Sequence, residues 1–258
     1  MTQTGNGNGA QYNIQGNNNS YTSTVTGHGN LTSLTIGDVN NALNLRNTIT
    51  ETITGDNNLI LQQLVGNDIT STVAITGNLN QITKELKSSN GTSDITVTGN
   101  SNVLNIQQVD VAGANGHYLK EVIAGNFNSI TTQQQGTNDT TVDIRTTGSN
   151  NTAVGNQALY TNTTTSSNTA VGFQAAYTNS SGDSLTAIGS QALYSNTTGT
   201  GNSAIGRNAL NKNTTGQVNT AVGNSVLLNN TTGSNNCAFG QVALLNNTTG
   251  VQNTAIGF

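Results

Sequence analysis

Residues 202 to 218 read Asn-Ser-Ala-Ile-Gly-Arg-Asn-Ala-Leu-Asn-Lys-Asn-Thr-Thr-Gly-Gln-Val, and residues 219 to 235 read Asn-Thr-Ala-Val-Gly-Asn-Ser-Val-Leu-Leu-Asn-Asn-Thr-Thr-Gly-Ser-Asn. The second line repeats the first slot for slot, 17 residues later. Extended in both directions, the same phase carries Gly155, Gly172, Gly189, Gly206, Gly223, Gly240 and Gly257. A fixed period outweighs any local reading, because each copy is one unit that buries its apolar side only by stacking on its neighbours. A helical repeat of the TPR or ankyrin kind needs roughly 33 to 34 residues. Seventeen suffice for two short strands and two turns, so each repeat is expected to be one coil of a β-solenoid.

The slots support that geometry. Ala153, Ala170, Ala187, Ala204, Ala221, Ala238 and Ala255 recur beside Val154, Val171, Ile188, Ile205, Val222, Phe239 and Ile256. A second apolar pair follows at Ala158-Leu159, Ala175-Ala176, Ala192-Leu193, Ala209-Leu210, Val226-Leu227 and Ala243-Leu244. Then Asn162, Asn179, Asn196, Asn213, Asn230 and Asn247 open a polar turn. Stacked coils place equivalent residues ~4.8 Å apart, so Asn can bond to Asn through the side-chain amide along the axis. The recurring Gly and Asn are therefore read as turn and ladder positions, and no ligand is needed to explain them. Neighbouring strand residues point to opposite faces, and both members of each apolar pair are apolar. Both faces of each strand are expected to be covered, the outer one by another copy of the chain, in a homotrimer.

Residues 1–150 follow a looser rule. A Gly-x-x-Asn turn recurs at Gly5, Gly27, Gly55, Gly77, Gly99, Gly125 and Gly148, with spacings of 22, 28, 22, 22, 26 and 23. A second glycine at Gly16, Gly37, Gly66, Gly113 and Gly136 divides the coil into two arms, each a strand and a turn. Alternation within the arms is clear, with Val73 and Ile75, Ile95 and Val97, and Val142 and Ile144 on one face. The expected division is thus a solenoid of ~22-residue coils over 1–150 and a β-roll of seven 17-residue repeats, the last incomplete, over 151–258. The fold class is all-β, a β-solenoid or β-roll rod assembled as an intertwined or side-by-side homotrimer.

Composition agrees. The chain is 32% hydrophobic, 4% aromatic and 7% charged, with thirty glycines and no proline, so neither a large core nor a charge-rich disordered chain fits. A net charge of −4 without like-charge blocks offers no basic footprint for nucleic acid and no cationic face for a membrane. The start, Met1-Thr2-Gln3-Thr4, has neither the basic nor the apolar region of a signal peptide, which suits assembly in a cytoplasm. The single cysteine, Cys237, stands in a Thr slot and is expected to be a small buried substitute for it.

The motif Asn202-Ser203-Ala204-Ile205-Gly206 resembles the head repeats of trimeric autotransporter adhesins of the YadA type. The array from 151 to 258 resembles still more the Asn-Thr-Ala-Val-Gly-x-x-Ala-Leu repeats of bacteriophage fibre proteins. Its repeat is longer than that of YadA. Residues 5–150 are faintly similar to curlin repeats, through the Gln15-Gly16 and Gln135-Gly136 turns. The resemblances imply a structural virion fibre, with a capsid or tail protein at the N-terminal end and a host-surface glycan distally, assembled in the host cytoplasm. The alternative they imply is a secreted adhesin or extracellular filament subunit. The absence of a tip or cap after Gly257-Phe258 suggests a longer natural fibre.

Candidate chemistry is sparse, and the reading is that of a protein that is not an enzyme and takes no cofactor. His28 and His117 each sit beside a glycine turn without a ligand partner at metal-binding spacing. The carboxylates, among them Asp56, Asp68, Glu85, Asp94, Asp110, Glu121, Asp139 and Asp143, fall nearly all in the first half. Asp139 and Asp143 are the pair to weigh for glycoside cleavage, which needs two carboxyls ~5 to 9.5 Å apart, and with nothing aromatic near them they are read as solvated surface. Tyr160, Tyr177 and Tyr194 share one slot and form either a packing ladder or a stripe able to touch glycan. Gly5-Asn6-Gly7-Asn8-Gly9 lacks the Lys-Ser/Thr and the helix of a phosphate loop and is read as a turn.

Overall fold

The computed structural model describes residues 1–13, 19–35, 47–64, 69–86, 91–109, 117–135 and 141–257. Among them there is no helix; the architecture is all-β, with parallel strands throughout the described pairings. The chain divides into two compact units, Met1–Phe127 with Thr131–Asp143, and Asn128–Ile130 with Ile144–Phe258.

In the first unit, β1 (Thr2–Thr4), β3 (Asn19–Thr26), β5 (Asn47–Thr54), β7 (Ile69–Thr76), β9 (Gly91–Thr98) and β11 (His117–Ala124) form one sheet in that order. Between them in sequence, β2 (Gly9–Asn13), β4 (Leu31–Thr35), β6 (Leu59–Leu64), β8 (Gln81–Leu86) and β10 (Val103–Val109) form a second. β12 (Ser129–Gln135) and β13 (Thr141–Thr147) each contribute residues to both units. Period-two alternation sends one set of residues inward. Val25, Ile53, Ile75, Val97 and Ile123 stack as one buried column, and Ile60, Ile82 and Leu104 as another. Thr26, Thr54, Thr76 and Thr98 stack on the exposed face of the first sheet, where a β-branched hydroxyl suits both strand and water.

The Gly-x-x-Asn turn closes each coil. Gly77 has φ +127°, and a Cβ there would lie 1.9 Å from the carbonyl oxygen of Gly99, so only glycine fits. The asparagine three residues on is buried and fully used. Asn80 donates from Nδ2 to Asn58 Oδ1 at 3.0 Å and to the Gly99 carbonyl at 2.8 Å. Its own Oδ1 accepts from the backbone and side-chain nitrogens of Asn102, both at 3.0 Å. Asn30 and Asn58 repeat the pattern. The mid-coil glycines Gly16, Gly37, Gly66, Gly113 and Gly136 lie outside the described residues.

The second unit stacks seven strands of three residues each, β14 (Thr152–Val154), β15 (Thr169–Val171), β16 (Thr186–Ile188), β17 (Ser203–Ile205), β18 (Thr220–Val222), β19 (Cys237–Phe239) and β20 (Thr254–Ile256). Every pair is parallel and offset by 17 residues. Each coil therefore has one strand, not the two expected from its length. The Ala158-Leu159 segment is a turn in which Leu159 has φ 53°, and Leu193, Leu210, Leu227 and Leu244 share that left-handed conformation. The change of hand brings the leucine to the same side as the preceding alanine. Both residues are fully buried within the single chain at 158-159, 192-193 and 209-210. The expectation that this pair faces two ways is corrected accordingly. A left-handed L-residue costs ~1–2 kcal/mol, which burial of a leucine side chain, ~1.5–3 kcal/mol, offsets. Bonds between coils also contribute, such as Leu193 N–H to Ala209 O at 3.0 Å.

Candidate functional site

The predicted ladder positions come together in the second unit. Asn179 Nδ2 donates to Asn162 Oδ1 at 3.4 Å, and Asn196, Asn213, Asn230 and Asn247 each donate to the preceding asparagine at 2.9–3.0 Å. Gly155, Gly172, Gly189, Gly206, Gly223 and Gly240 all have φ between +113° and +133°. A parallel row, buried at Asn202, Asn219 and Asn236 and half-buried at Asn253, runs beside them, and Leu185 occupies its slot between Asn168 and Asn202. Cys237 is half-buried in the Thr slot of β19 rather than fully enclosed.

Tyr160, Tyr177 and Tyr194 are stacked with centroids 4.8 and 5.0 Å apart and planes within 3°. Both faces of Tyr177 are covered by its neighbours, and all three tyrosines stay half-exposed. Burial, reinforced by the two adjacent phenols, raises the Tyr177 pKa above its ordinary value. His28 belongs to an exposed turn ladder: its Nδ1 accepts the Asn6 N–H at 2.9 Å, and its own N–H reaches Asp56 Oδ1 at 2.7 Å. Asp56 N–H continues to Asn78 Oδ1 at 2.7 Å. Gly5 and Gly7 lie in the first such turn with positive φ. Asp94 meets Lys120 at 3.7 Å on the outer face. Asp68, Asp110 and Asp139 lie outside the described residues, as do the side chains of Asp143 and His117. No group of three His, Cys, Asp or Glu able to hold a metal occurs among the described residues, and no described helix is long and apolar enough to cross a membrane.

The densest chemistry among the described residues is a cluster inside the first unit that the sequence reading did not single out. Glu51 on β5, Lys84 on β8 and Glu121 on β11 are all buried. Tyr21 Oη donates to Glu51 Oε2 at 2.6 Å, and Gln62 Nε2 donates to Glu51 Oε1. Ser71 Oγ donates to Gln62 Oε1 at 3.2 Å, and Lys84 Nζ donates to Ser71 Oγ. The donors run in one direction, from the ammonium through a hydroxyl and an amide to the carboxylate. Burial lowers the Lys84 pKa to about 7, against the attraction of Glu51, Glu121 and Asp94. Burial also raises Glu51, opposed by its bonds to Tyr21 and Gln62, by the neighbouring Ser23 hydroxyl and by Lys84. Glu121 is pushed up to about 7 by burial, opposed by Thr132 and Lys84, and neither of its oxygens makes a well-formed hydrogen bond.

Strand parity was the available signal. Glu51 stands between inward Ile49 and Ile53, Lys84 two residues after Ile82, and Glu121 two before Ile123. Compared with protein-family models, curated proteins and solved structures, the chain matches none.

Proposed function

We propose that this chain is a structural fibre protein that works as a self-associated β-solenoid rod, in a homotrimer, displaying a surface rather than performing a reaction. The supporting observation is the outward slot of the second unit. Val154, Ile188, Ile205 and Phe239 are 36%, 38%, 40% and 39% exposed, one per coil and in register with half-buried Val171 and Val222. A chain this poor in apolar residues places one at the same external position in every coil. A straight apolar seam of this kind is covered most economically by identical seams, and closed symmetry around an axis lets three copies cover one another.

A virion fibre is the favoured setting, on the resemblance of the 17-residue motif to phage fibre repeats, with attachment to a capsid or tail protein at the N-terminal end. The test is the absolute mass of the native protein by light scattering over a range of concentrations. A mass of three chains, reduced to one in the double variant Ile188→Lys with Ile205→Lys, is expected. A single-chain mass for the unaltered protein refutes the reading.

A further inference from the structure

The buried chain of hydrogen bonds in the first unit has the parts of an amide-forming site. Gln62 on β6 and Lys84 on β8 are direct register partners, side by side on the inward face. Such pairs stand ~4.8 Å apart at Cα, well within the joint reach of a lysine and a glutamine. The Ser71 hydroxyl touches both, accepting from Lys84 Nζ and donating to Gln62 Oε1. Glu51, held by Tyr21, is bonded to Gln62 Nε2, the nitrogen that must leave if the carboxamide is attacked. Lys84, Gln62, Ser71 and Glu51 are all buried, with Tyr21 half-buried beside them, so the amine is shielded from bulk water.

The geometry points to an intramolecular isopeptide bond between Lys84 Nζ and Gln62 Cδ, formed by the folded chain with Glu51 as its acid and base. Lys84 loses a proton to Glu51, leaving a neutral amine, a carboxylic acid and an unchanged Gln62 carboxamide. The amine nitrogen swings from Ser71 to Cδ and attacks, while the Ser71 hydroxyl stabilises the charge that develops on Oε1. The Cδ–Nε2 bond breaks as Glu51 gives its proton to Nε2, and the remaining excess proton on Nζ returns to Glu51. The balance is one amine plus one primary amide giving one secondary amide plus ammonia, with no oxidant or co-reactant. The depressed lysine and raised glutamate values fit the neutral pair that starts the reaction. Glu121, with no oxygen bonded to the relay, tunes the field around Lys84 rather than taking part. The product straps two successive coils together covalently and removes a buried charge.

High-resolution intact mass of the purified full chain, followed by tryptic mapping, tests this directly. The expected mass is lower than the sequence mass by one ammonia. Trypsin then leaves residues 47–87 as one fragment uncut after Lys84, carrying the same deficit; this stretch holds no Asn-Gly pair that could lose ammonia as a succinimide. Lys84→Met restores the full mass, apart from the substitution itself, and Glu51→Gln slows conversion on the order of 10²-fold. A full sequence mass with cleavage after Lys84 overturns the proposal. Loss of water at Glu51 or Glu121 instead of ammonia at Gln62 also overturns it. The unaltered protein decides the matter even if a variant fails to fold.

Discussion

Replacing Asn80 by alanine removes a side chain that makes four hydrogen bonds within the first unit. Two come from Nδ2, to Asn58 Oδ1 and the Gly99 carbonyl, and two are accepted by Oδ1 from the nitrogens of Asn102. The partners do not suffer equally. Asn58 Oδ1 keeps the Asn80 backbone N–H at 3.0 Å, and Asn102 Nδ2 keeps the Gly125 carbonyl at 2.9 Å. The buried Asn102 backbone N–H and the half-buried Gly99 carbonyl lose these bonds. Losing the bond of a buried group costs ~1–3 kcal/mol and a net bond at a half-buried one ~1, so Asn80→Ala should cost about 3 kcal/mol. Asn78, two residues earlier and exposed, provides the control: its side chain accepts the Asp56 N–H at 2.7 Å, a bond that water can replace. Asn78→Ala should cost less than about 1 kcal/mol. Equilibrium urea unfolding at one fixed protein concentration measures both, since association shifts apparent stability. If the two variants fall within about 1 kcal/mol of each other, the ladder is not what holds the coils together.

Gly206→Ala places a methyl group 2.3 Å from the Gly223 carbonyl oxygen at φ +133°, and a melting curve should show a loss of roughly 3 kcal/mol or more. Val218 is a β-branched residue at φ 53° and 58% exposed, in the slot that holds Gly201 one coil earlier; Val218→Gly should therefore raise stability by about 1 kcal/mol in the same assay. The folded protein holds the Glu121 proton up to about pH 7, whereas the unfolded carboxyl releases it near 4.5, so stability present below pH 4.5 is lost as pH rises through 7. Glu51 acts in the same sense, and urea midpoints at pH 5 and pH 8 should differ more in the unaltered chain than in Glu121→Gln. Equal pH dependence in the two proteins would place the Glu121 carboxyl in water.

The period of 17 was legible because stacked coils tolerate only register-matched residues, and the Gly-x-x-Asn turn because its backbone admits no Cβ. What escaped the sequence was local handedness. Nothing in Ala-Leu announces that the leucine will turn left-handed, and the alternation rule, sound for β14 to β20, was carried one segment too far. The glutamates and the lysine escaped for a different reason. Charge is ordinarily a sign of exposure, and in Ile-Thr-Glu-Thr-Ile and Ile-Thr-Lys-Glu-Leu that prior competes with parity. Parity wins because reversing one residue would require turning its apolar neighbours outward as well.

The uniform offset of 17 in the second unit makes its coils interchangeable. Excising residues 202–218 would bring Thr186, Ala187 and Ile188 against Thr220, Ala221 and Val222, partners of the same kind as those removed. Length there behaves as a ruler, adjustable by one notch of ~4.8 Å without redesigning the neighbours. The first unit has no such freedom: Glu51 faces Val73 in one step and Gln62 faces Lys84 in another, so each of its coils has an address. A chain built this way can vary its reach in one half while the other half stays fixed.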